Sequence, residues 1–312
     1  MTGILVHEVG PRDGLQMESA VVDTDRKHAW ILELIAAGLD IVQVGSFVRP
    51  DTVPQMADTD ELLRRLAARA RNGTRLSALV LNERGLERAF AGTADLICMG
   101  ASASDTHSRR NTGMSSADAT TRIAAMARQV RAAGRRVQVS VQSAFGCGYE
   151  GAVPERRVLD MVRAYLDAGV TTVSLADTAG HAHPAQVERL FGAVQALHGD
   201  LTCACHFHNT YGLGMANIFA ALRAGVTTVE TSFGGLGGCP FTKVAAGNVA
   251  TEDFVHALHR EGRRDDIELG RLVGVARSVA DALGRELPGC VYRTGGIPDP
   301  ARAAPVTAGT AA

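Results

Sequence analysis

The sequence predicts an α/β protein, a (β/α)8 barrel with extra C-terminal helices, and three observations carry that expectation. Short β-branched runs alternate with longer amphipathic stretches, which argues for a parallel sheet joined by right-handed crossover helices. Eight such runs can be counted, the number that closes a barrel. No glycine-rich dinucleotide fingerprint follows the first run, which disfavours an open doubly wound sheet.

The strand candidates cover residues 4–9, 41–46, 76–81, 96–100, 137–141, 172–175, 201–206 and 228–232. Helix candidates lie between them at 25–37, 59–70, 117–133, 154–168, 184–197 and 213–224, several opened by Pro or Thr and several ended by Gly. A weak internal repeat supports the pattern: Ala37-Gly38-Leu39, Ala168-Gly169-Val170 and Ala224-Gly225-Val226 each close a helix just before a strand. Glycine there supplies the left-handed cap that a short helix-to-strand loop needs. After the eighth strand come helix candidates 251–260 and 269–283. One catalytic domain is expected over residues 1–290, followed at 291–312 by a disordered tail rich in Ala, Pro, Thr and Gly.

Composition narrows the partners. A chain of 312 residues is long for an ordinary domain, yet α/β barrels routinely reach roughly 250 residues or more as one unit. Hydrophobic content of 46%, charged content of 21% and a net charge of −1 give no global pull toward nucleic acid or anionic membranes, so small-molecule partners are expected. The first strand-like run begins at Ile4, which leaves no room for a secretory leader, and no apolar run approaches the ~18 residues of a membrane span. Six scattered cysteines fit a reducing, cytoplasmic compartment.

In a barrel of this kind the active site is built from the loops at the C-terminal ends of the strands. The seventh run ends in Cys205-His206-Phe207-His208-Asn209. On a strand, His206 and His208 point the same way while Cys203, Cys205 and Phe207 point the other. Two imidazoles on one face are a common way to place nitrogen ligands on a metal, although an isolated pair can equally be two hydrogen-bonded histidines. The other loops bring more polar groups to the same rim. The first strand ends in Gly10-Pro11-Arg12-Asp13-Gly14-Leu15-Gln16, the second carries Gln43 and Ser46, the sixth ends in Asp177-Thr178, and Asn248 follows the eighth. Asp13, the two histidines and the amide oxygen of Asn248 make a mixed oxygen and nitrogen set suited to an octahedral divalent ion such as Mg²⁺ or Mn²⁺. Taken singly, Arg12-Asp13 reads as a surface turn pair, and Asp177 and Asn248 as helix caps. Their joint placement on one rim argues against that.

These residues resemble hydroxymethylglutaryl-CoA lyase, a family of metal-dependent lyases and synthases built on TIM barrels. The likeness rests on residues 10–16, Ser46-Phe47-Val48, Val53-Pro54-Gln55-Met56, Gly146-Cys147-Gly148-Tyr149-Glu150-Gly151, Asp177-Thr178, residues 206–212 and residues 234–253, and spans roughly residues 4–285. Gly234-Gly235-Leu236-Gly237-Gly238-Cys239-Pro240 looks like the signature around that family's catalytic cysteine. The resemblance implies that Asp13, His206, His208 and Asn248 are metal ligands, that Arg12 is the neighbouring cation, and that Cys239 is the proton-handling thiol.

The implied chemistry is retro-Claisen or aldol cleavage of a 3-hydroxyacyl-CoA to acetyl-CoA and a keto acid. A divalent ion acidifies the hydroxyl. Arg12 holds the thioester oxygen as charge develops, and Cys239 on its glycine-rich loop delivers a proton. His206, with Asp13 as the alternative, is expected to be the base, and Asp177 is expected among the catalytic groups. Gln16, Gln43, Ser46, Arg109 and Asn111 are expected to contact the acyl-CoA thioester substrate, Arg109 through its phosphate or pantetheine groups. A homo-oligomer, dimer or tetramer, is expected.

Where the resembled family carries a glutamate at the end of the second strand, this chain has Gln43. That leaves the identity of the hydroxyacyl-CoA open. A condensing acyltransferase of the citramalate or isopropylmalate synthase kind is one alternative, and a non-catalytic barrel binding protein is another.

Overall fold

The computed structural model describes residues 3–69, 71–238 and 247–297. Eight parallel strands close a barrel in sequence order: β1 (Leu5–Glu8), β2 (Ile41–Ser46), β3 (Arg75–Leu79), β4 (Leu96–Ser102), β5 (Arg136–Gln142), β6 (Thr172–Asp177), β7 (Thr202–Phe207) and β8 (Thr228–Thr231). Closure is direct, because β8 pairs back onto β1 from Leu5↔Thr228 to Glu8↔Thr231. The crossovers are α1 (Thr24–Ala36), α2 (Thr59–Ala67), α3 (Glu83–Ala91), α4 (Asp105–Thr112) with α5 (Ser116–Ala132), α6 (Glu155–Asp167), α7 (Pro184–Gln195) and α8 (Gly214–Arg223). Beyond β8 follow α9 (Thr251–Arg260), α10 (Leu269–Leu283) and the short α11 (Val291–Thr294).

Strand alternation sorts the side chains. Val6, Ile97, Val139, Val173, Cys205 and Val229 are buried in one apolar layer with Ile31, Leu63, Val162 and Val187 from the helices. Each large side chain so buried stabilises the fold by roughly 1.5–3 kcal/mol. The opposite parity turns into the barrel, where polar groups stand beside a small apolar cluster of Ile41, Leu79, Leu96 and Cys98. His7 Nε2 lies 2.8 Å from Ser77 Oγ, and Gln138 Nε2 donates to Glu230 at 2.6 Å. Gly38, Gly169 and Gly225 adopt φ of +89°, +79° and +91° just past α1, α6 and α8, which is the left-handed geometry the repeat predicted.

Two crossover helices are not among those expected from the sequence. α3 is short and interrupted by Gly85, and is started by Asn82, whose side chain accepts from Gly85 N at 2.9 Å. α4 has no apolar stripe, and is held by Ser104 accepting from His107 N at 3.1 Å. The tail boundary expected at residue 291 is corrected: α11 continues the fold, Tyr292 is buried, and its hydroxyl accepts from Leu287 N at 2.7 Å. Residues 298–312 of that tail lie outside the described residues. No helix among the described residues is long and apolar enough to cross a membrane.

Candidate active site

The chain leaves β1 in a π-helical turn, Gly10–Gly14. Val9 O accepts from both Arg12 N at 3.0 Å and Asp13 N at 2.7 Å, which wraps the turn tightly and presents two charged side chains in succession. Glu8 secures the turn from beneath. Its carboxylate accepts from Gly10 N at 2.6 Å, Phe233 N at 3.0 Å and Thr251 Oγ1 at 2.7 Å, so the loop after β1 is tied to the segment after β8. A Cβ at Gly10 would lie 2.6 Å from the Glu8 carboxylate and 2.7 Å from the Phe233 ring, so only glycine fits. Burial pushes the Glu8 carboxyl up to about 7.

Asp13 meets the β7 histidines above the barrel. One ligand atom from each of Asp13, His206 and His208 lies within 4.8 Å of the other two. Asp13 Oδ2 is 3.9 Å from both imidazole Nε2 atoms, which are themselves 3.1 Å apart. Asn248 completes the group: it bridges to His208 in an isolated β-pair, and its Nδ2 donates to Asp13 Oδ2 at 2.8 Å and to Leu236 O at 3.0 Å. Its Oδ1 is buried without a hydrogen-bond partner.

The electrostatics separate the two histidines. His206 Nδ1 lies 2.9 Å from Glu230 Oε2. Desolvation lowers the His206 pKa, but the Glu230 hydrogen bond and the Asp13 and Glu230 charges outweigh it and the net shift is upward. His208 is lowered to about 4, first by burial and then by the neighbouring His206 charge. Burial would raise Asp13, yet Arg12, the two histidines and Asn248 hold it down at about 2.

A carboxylate and two imidazole nitrogens therefore crowd one point, with an unpartnered amide oxygen beside them. A Cβ on Gly237, at φ +112°, would come within 2.5 Å of Asn248 Nδ2 and 3.0 Å of Asp13 Oδ2, so glycine keeps this space open. The donor set and the space fit a divalent cation.

The ligand cluster forms one wall of a cavity of about 240 Å³ inside the barrel mouth, also lined by Arg12, Gln16, Gln43, His107, Asn111 and Gln138. Arg12 donates through Nε to Gln43 Oε1 and through Nη1 to Asp13 Oδ1, so the guanidinium is held between the second strand and the ligand carboxylate. A larger, open depression of about 750 Å³, lined by Arg71, Arg75, Arg135 and Arg136, contains none of these groups.

Of the residues expected from sequence, Arg12, Asp13, Gln16, Gln43, Asn111, His206 and His208 line the cavity, and Asn248 contacts Asp13 behind it. Asn248 is not a helix cap, since α9 is capped at Ala250. Ser46, Asp177 and Arg109 are not among the lining residues. Ser46 is fully buried and does not line the cavity: its Oγ donates to Leu79 O at 3.4 Å and its backbone bonds to Thr59, and it stands three residues from Gln43, an odd spacing that regular alternation sends to opposite faces. Asp177 accepts from the loop amides His181 N at 2.8 Å and Ala182 N at 3.0 Å, and it caps no helix, since α7 is N-capped at His183. Arg109 lies exposed on α4, paired with Asp105 at 2.7 Å, and does not line the cavity. His206 has Nδ1 engaged by Glu230 and Nε2 within the cluster formed with Asp13 and His208. Cys239 lies outside the described residues.

Two buried carboxylates beside the cluster escaped sequence reasoning. Glu230 carries no motif, and its signal is only an acidic residue at an inward position of a β-branched strand. Glu8 carries no motif either, and it is buried where β8 closes against β1.

Comparison with known proteins places the chain among a consistent set. Residues 4–279 match the model of a family described as HMGL-like. The (R)-citramalyl-CoA lyase of Chloroflexus aurantiacus is 36% identical over 305 residues, covering 95% of this chain and 96% of that one. The crystal structure of the HMG-CoA lyase of Bacillus subtilis superposes with a TM-score of 0.89 at 35% identity, covering 94% of this chain and 98% of that one. An HMG-CoA lyase from A. baumannii, in complex with coenzyme A and 3-methylmalate, gives a TM-score of 0.88 at 34% identity over 95% of this chain and 96% of its own.

Proposed function

Because the chain belongs to the HMGL-like family, we propose that it is a carbon–carbon lyase cleaving a 3-hydroxyacyl-CoA thioester, hydroxymethylglutaryl-CoA or a close relative, to acetyl-CoA and a keto acid. The observation that carries this reading is the convergence of Asp13, His206 and His208 beside a guanidinium held by Gln43 and Asp13.

Asp13, His206, His208 and Asn248 are the ligands in this reading, and Mg²⁺ or Mn²⁺ suits their oxygen and nitrogen donors. When bound, such an ion supplies Lewis acidity to the hydroxyl and carboxylate oxygens of the substrate. The chain's own residues do the rest, beginning with Asp13, the alternative to His206, whose carboxylate takes the hydroxyl proton as the carbon–carbon bond breaks. Arg12, with Nε and Nη1 committed, presents Nη2 to the thioester oxygen, where negative charge grows as the carbon–carbon bond breaks. Because its partners fix it in advance, little reorganisation opposes that stabilisation. Gln16 and Asn111 line the same cavity and contact the acyl portion. Cys239 protonates the enolate; a free thiol near pKa 8.5 is an adequate acid at neutral pH.

The thioester partner is supported by the relative bound to coenzyme A. A cytoplasmic homo-oligomer, dimer or tetramer, without nucleic-acid or membrane partners completes the reading. Gln43 and the citramalyl-CoA lyase relative together favour a substrate with a different acyl substituent from hydroxymethylglutaryl-CoA. The test is to incubate the purified protein with Mg²⁺ and either hydroxymethylglutaryl-CoA or citramalyl-CoA and follow products by mass spectrometry. Acetyl-CoA with an equimolar keto acid is expected from at least one thioester. Intact thioesters throughout would refute the proposal.

A further inference from the structure

We infer that Glu230 is a positioning residue for His206, fixing the orientation of the imidazole and keeping its proton on Nδ1 so that Nε2 always offers its lone pair to the ion. The inference rests on the metal reading above and deepens it.

The sheet supplies the geometry. His206 and Glu230 are register partners on β7 and β8, so their side chains leave the barrel wall side by side and turn inward together. Oε2 of Glu230 is 2.9 Å from His206 Nδ1. The other oxygen, Oε1, accepts from Gln138 Nε2 on β5 at 2.6 Å and lies 3.8 Å from His7 Nδ1 on β1. His7 is in turn held by Ser77 on β3 at 2.8 Å. Each oxygen of Glu230 is thus engaged from a different part of the barrel, and the carboxylate cannot rotate away from the imidazole without abandoning a buried donor.

A neutral imidazole carries one proton and two tautomers compete for it. With a carboxylate at Nδ1 the proton stays there and the lone pair is on Nε2, the nitrogen within the ligand cluster. Without it, the Nε2–H tautomer would aim a proton at the ligand position. His208 offers no substitute, since its ring stands at 53° to that of His206 and its contact with His206 is through Nε2. Carboxylate partners of ligand histidines are typically worth 10–100-fold in metal affinity. The plain alternative is a buried acid that only satisfies its neighbours and helps the fold.

The experiment uses metal-free, nitrogen-15-labelled wild type, Glu230→Ala and Glu230→Gln. The His206 tautomer is read from long-range proton–nitrogen spectra, assigned with His206→Ala, and Mn²⁺ binding is measured by electron paramagnetic resonance. Wild type is expected to show Nδ1–H at His206. Glu230→Ala should shift the ring toward Nε2–H and weaken Mn²⁺ binding by about 10–100-fold. Glu230→Gln, which keeps an acceptor oxygen and the shape, should restore Nδ1–H and most of the affinity. If Glu230→Ala does not fold, Gln138→Leu decides: it releases one oxygen of Glu230 without touching His206, and should broaden the His206 signals and weaken Mn²⁺ binding. Unchanged tautomer, Mn²⁺ affinity within twofold of wild type, or equal losses in Ala and Gln would overturn the inference. A wild type that binds no Mn²⁺ would instead overturn the metal reading beneath it.

Discussion

Asn248 Nδ2 donates to Asp13 Oδ2 at 2.8 Å, joining a residue that follows the first strand to one that follows the eighth, 235 positions later. The contact spans the seam at which the barrel closes, so the site is complete only when β8 has paired with β1. Asn248→Ala removes both this tether and the unpartnered Oδ1. The expected outcome is at least tenfold weaker Mn²⁺ binding with a thermal midpoint near that of wild type, because one lost buried amide contact costs only about 1–3 kcal/mol. Calorimetric Mn²⁺ titration checks it, and wild-type affinity would remove Asn248 from the ligand set.

Gln43 accepts from Arg12 Nε, so it tunes the guanidinium assigned to the thioester oxygen. Gln43→Glu keeps the acceptor and adds a charge, which should tighten the hold on Arg12 and withdraw the two amide donors that glutamine offers to substrate. We expect wild type to cleave hydroxymethylglutaryl-CoA slowly relative to another hydroxyacyl-CoA, and Gln43→Glu to shift that preference by tenfold or more, since leaving a buried polar group unpaired is costly. The readout is kcat/KM for each thioester. Unchanged preference would make Gln43 a neutral replacement.

Cys239→Ser tests the acid. A serine hydroxyl is a far weaker acid than a thiol, so turnover should fall by about 10²–10⁴-fold. Mn²⁺ affinity and melting temperature should stay at wild-type values, because the thiol is assigned to proton delivery alone. Turnover within a few-fold of wild type on the preferred thioester would end that assignment.

Two buried carboxyls near the β8 segment set a pH dependence of stability. Burial pushes Glu252 up to about 8 and Glu8 up to about 7, each from 4.5. Glu252 accepts from Gly234 N at 3.0 Å, leaving Oε1 without a partner, and faces the charges of Glu8 and Asp253. Since the folded pKa lies above the unfolded one, the native state binds more protons between them, and stability falls as pH rises. The contribution is fully present below about 4.5 and lost through about 7 and 8. Each such proton is worth roughly 1.4 kcal/mol per pH unit in that window. Thermal melts should therefore drop from pH 5 to pH 9 in wild type and drop less in Glu252→Gln. Parallel curves would contradict this account.

The barrel was legible because its signals are local and repeated: β-branched runs, amphipathic stretches and capping glycines such as Gly38, Gly169 and Gly225. The clustering of the candidate residues was legible for a related reason. His206 and His208 share a strand face, and Asp13 and Asn248 each follow a strand, so topology alone brings them to one rim. Strand parity, applied strictly, separates Ser46 from Gln43, since the two are three residues apart, and only Gln43 lines the cavity. It cannot see contacts between distant strands. Glu230 and Gln138 sit 92 residues apart and meet only across the closed barrel. Asp177 shows the opposite limit: its position at the end of β6 suggested chemistry, while its oxygens serve His181 and Ala182.

The central claim is that one divalent ion, held by Asp13, His206, His208 and Asn248, is required for carbon–carbon cleavage. The most direct measurement adds Mn²⁺ stepwise to chelator-stripped protein while acetyl-CoA release from the preferred thioester is recorded. Activity should be absent at the start and saturate at one Mn²⁺ per chain, and His208→Ala should bind Mn²⁺ weakly and stay inactive at that ratio. Full cleavage by the stripped protein, or wild-type activation of His208→Ala, would contradict it.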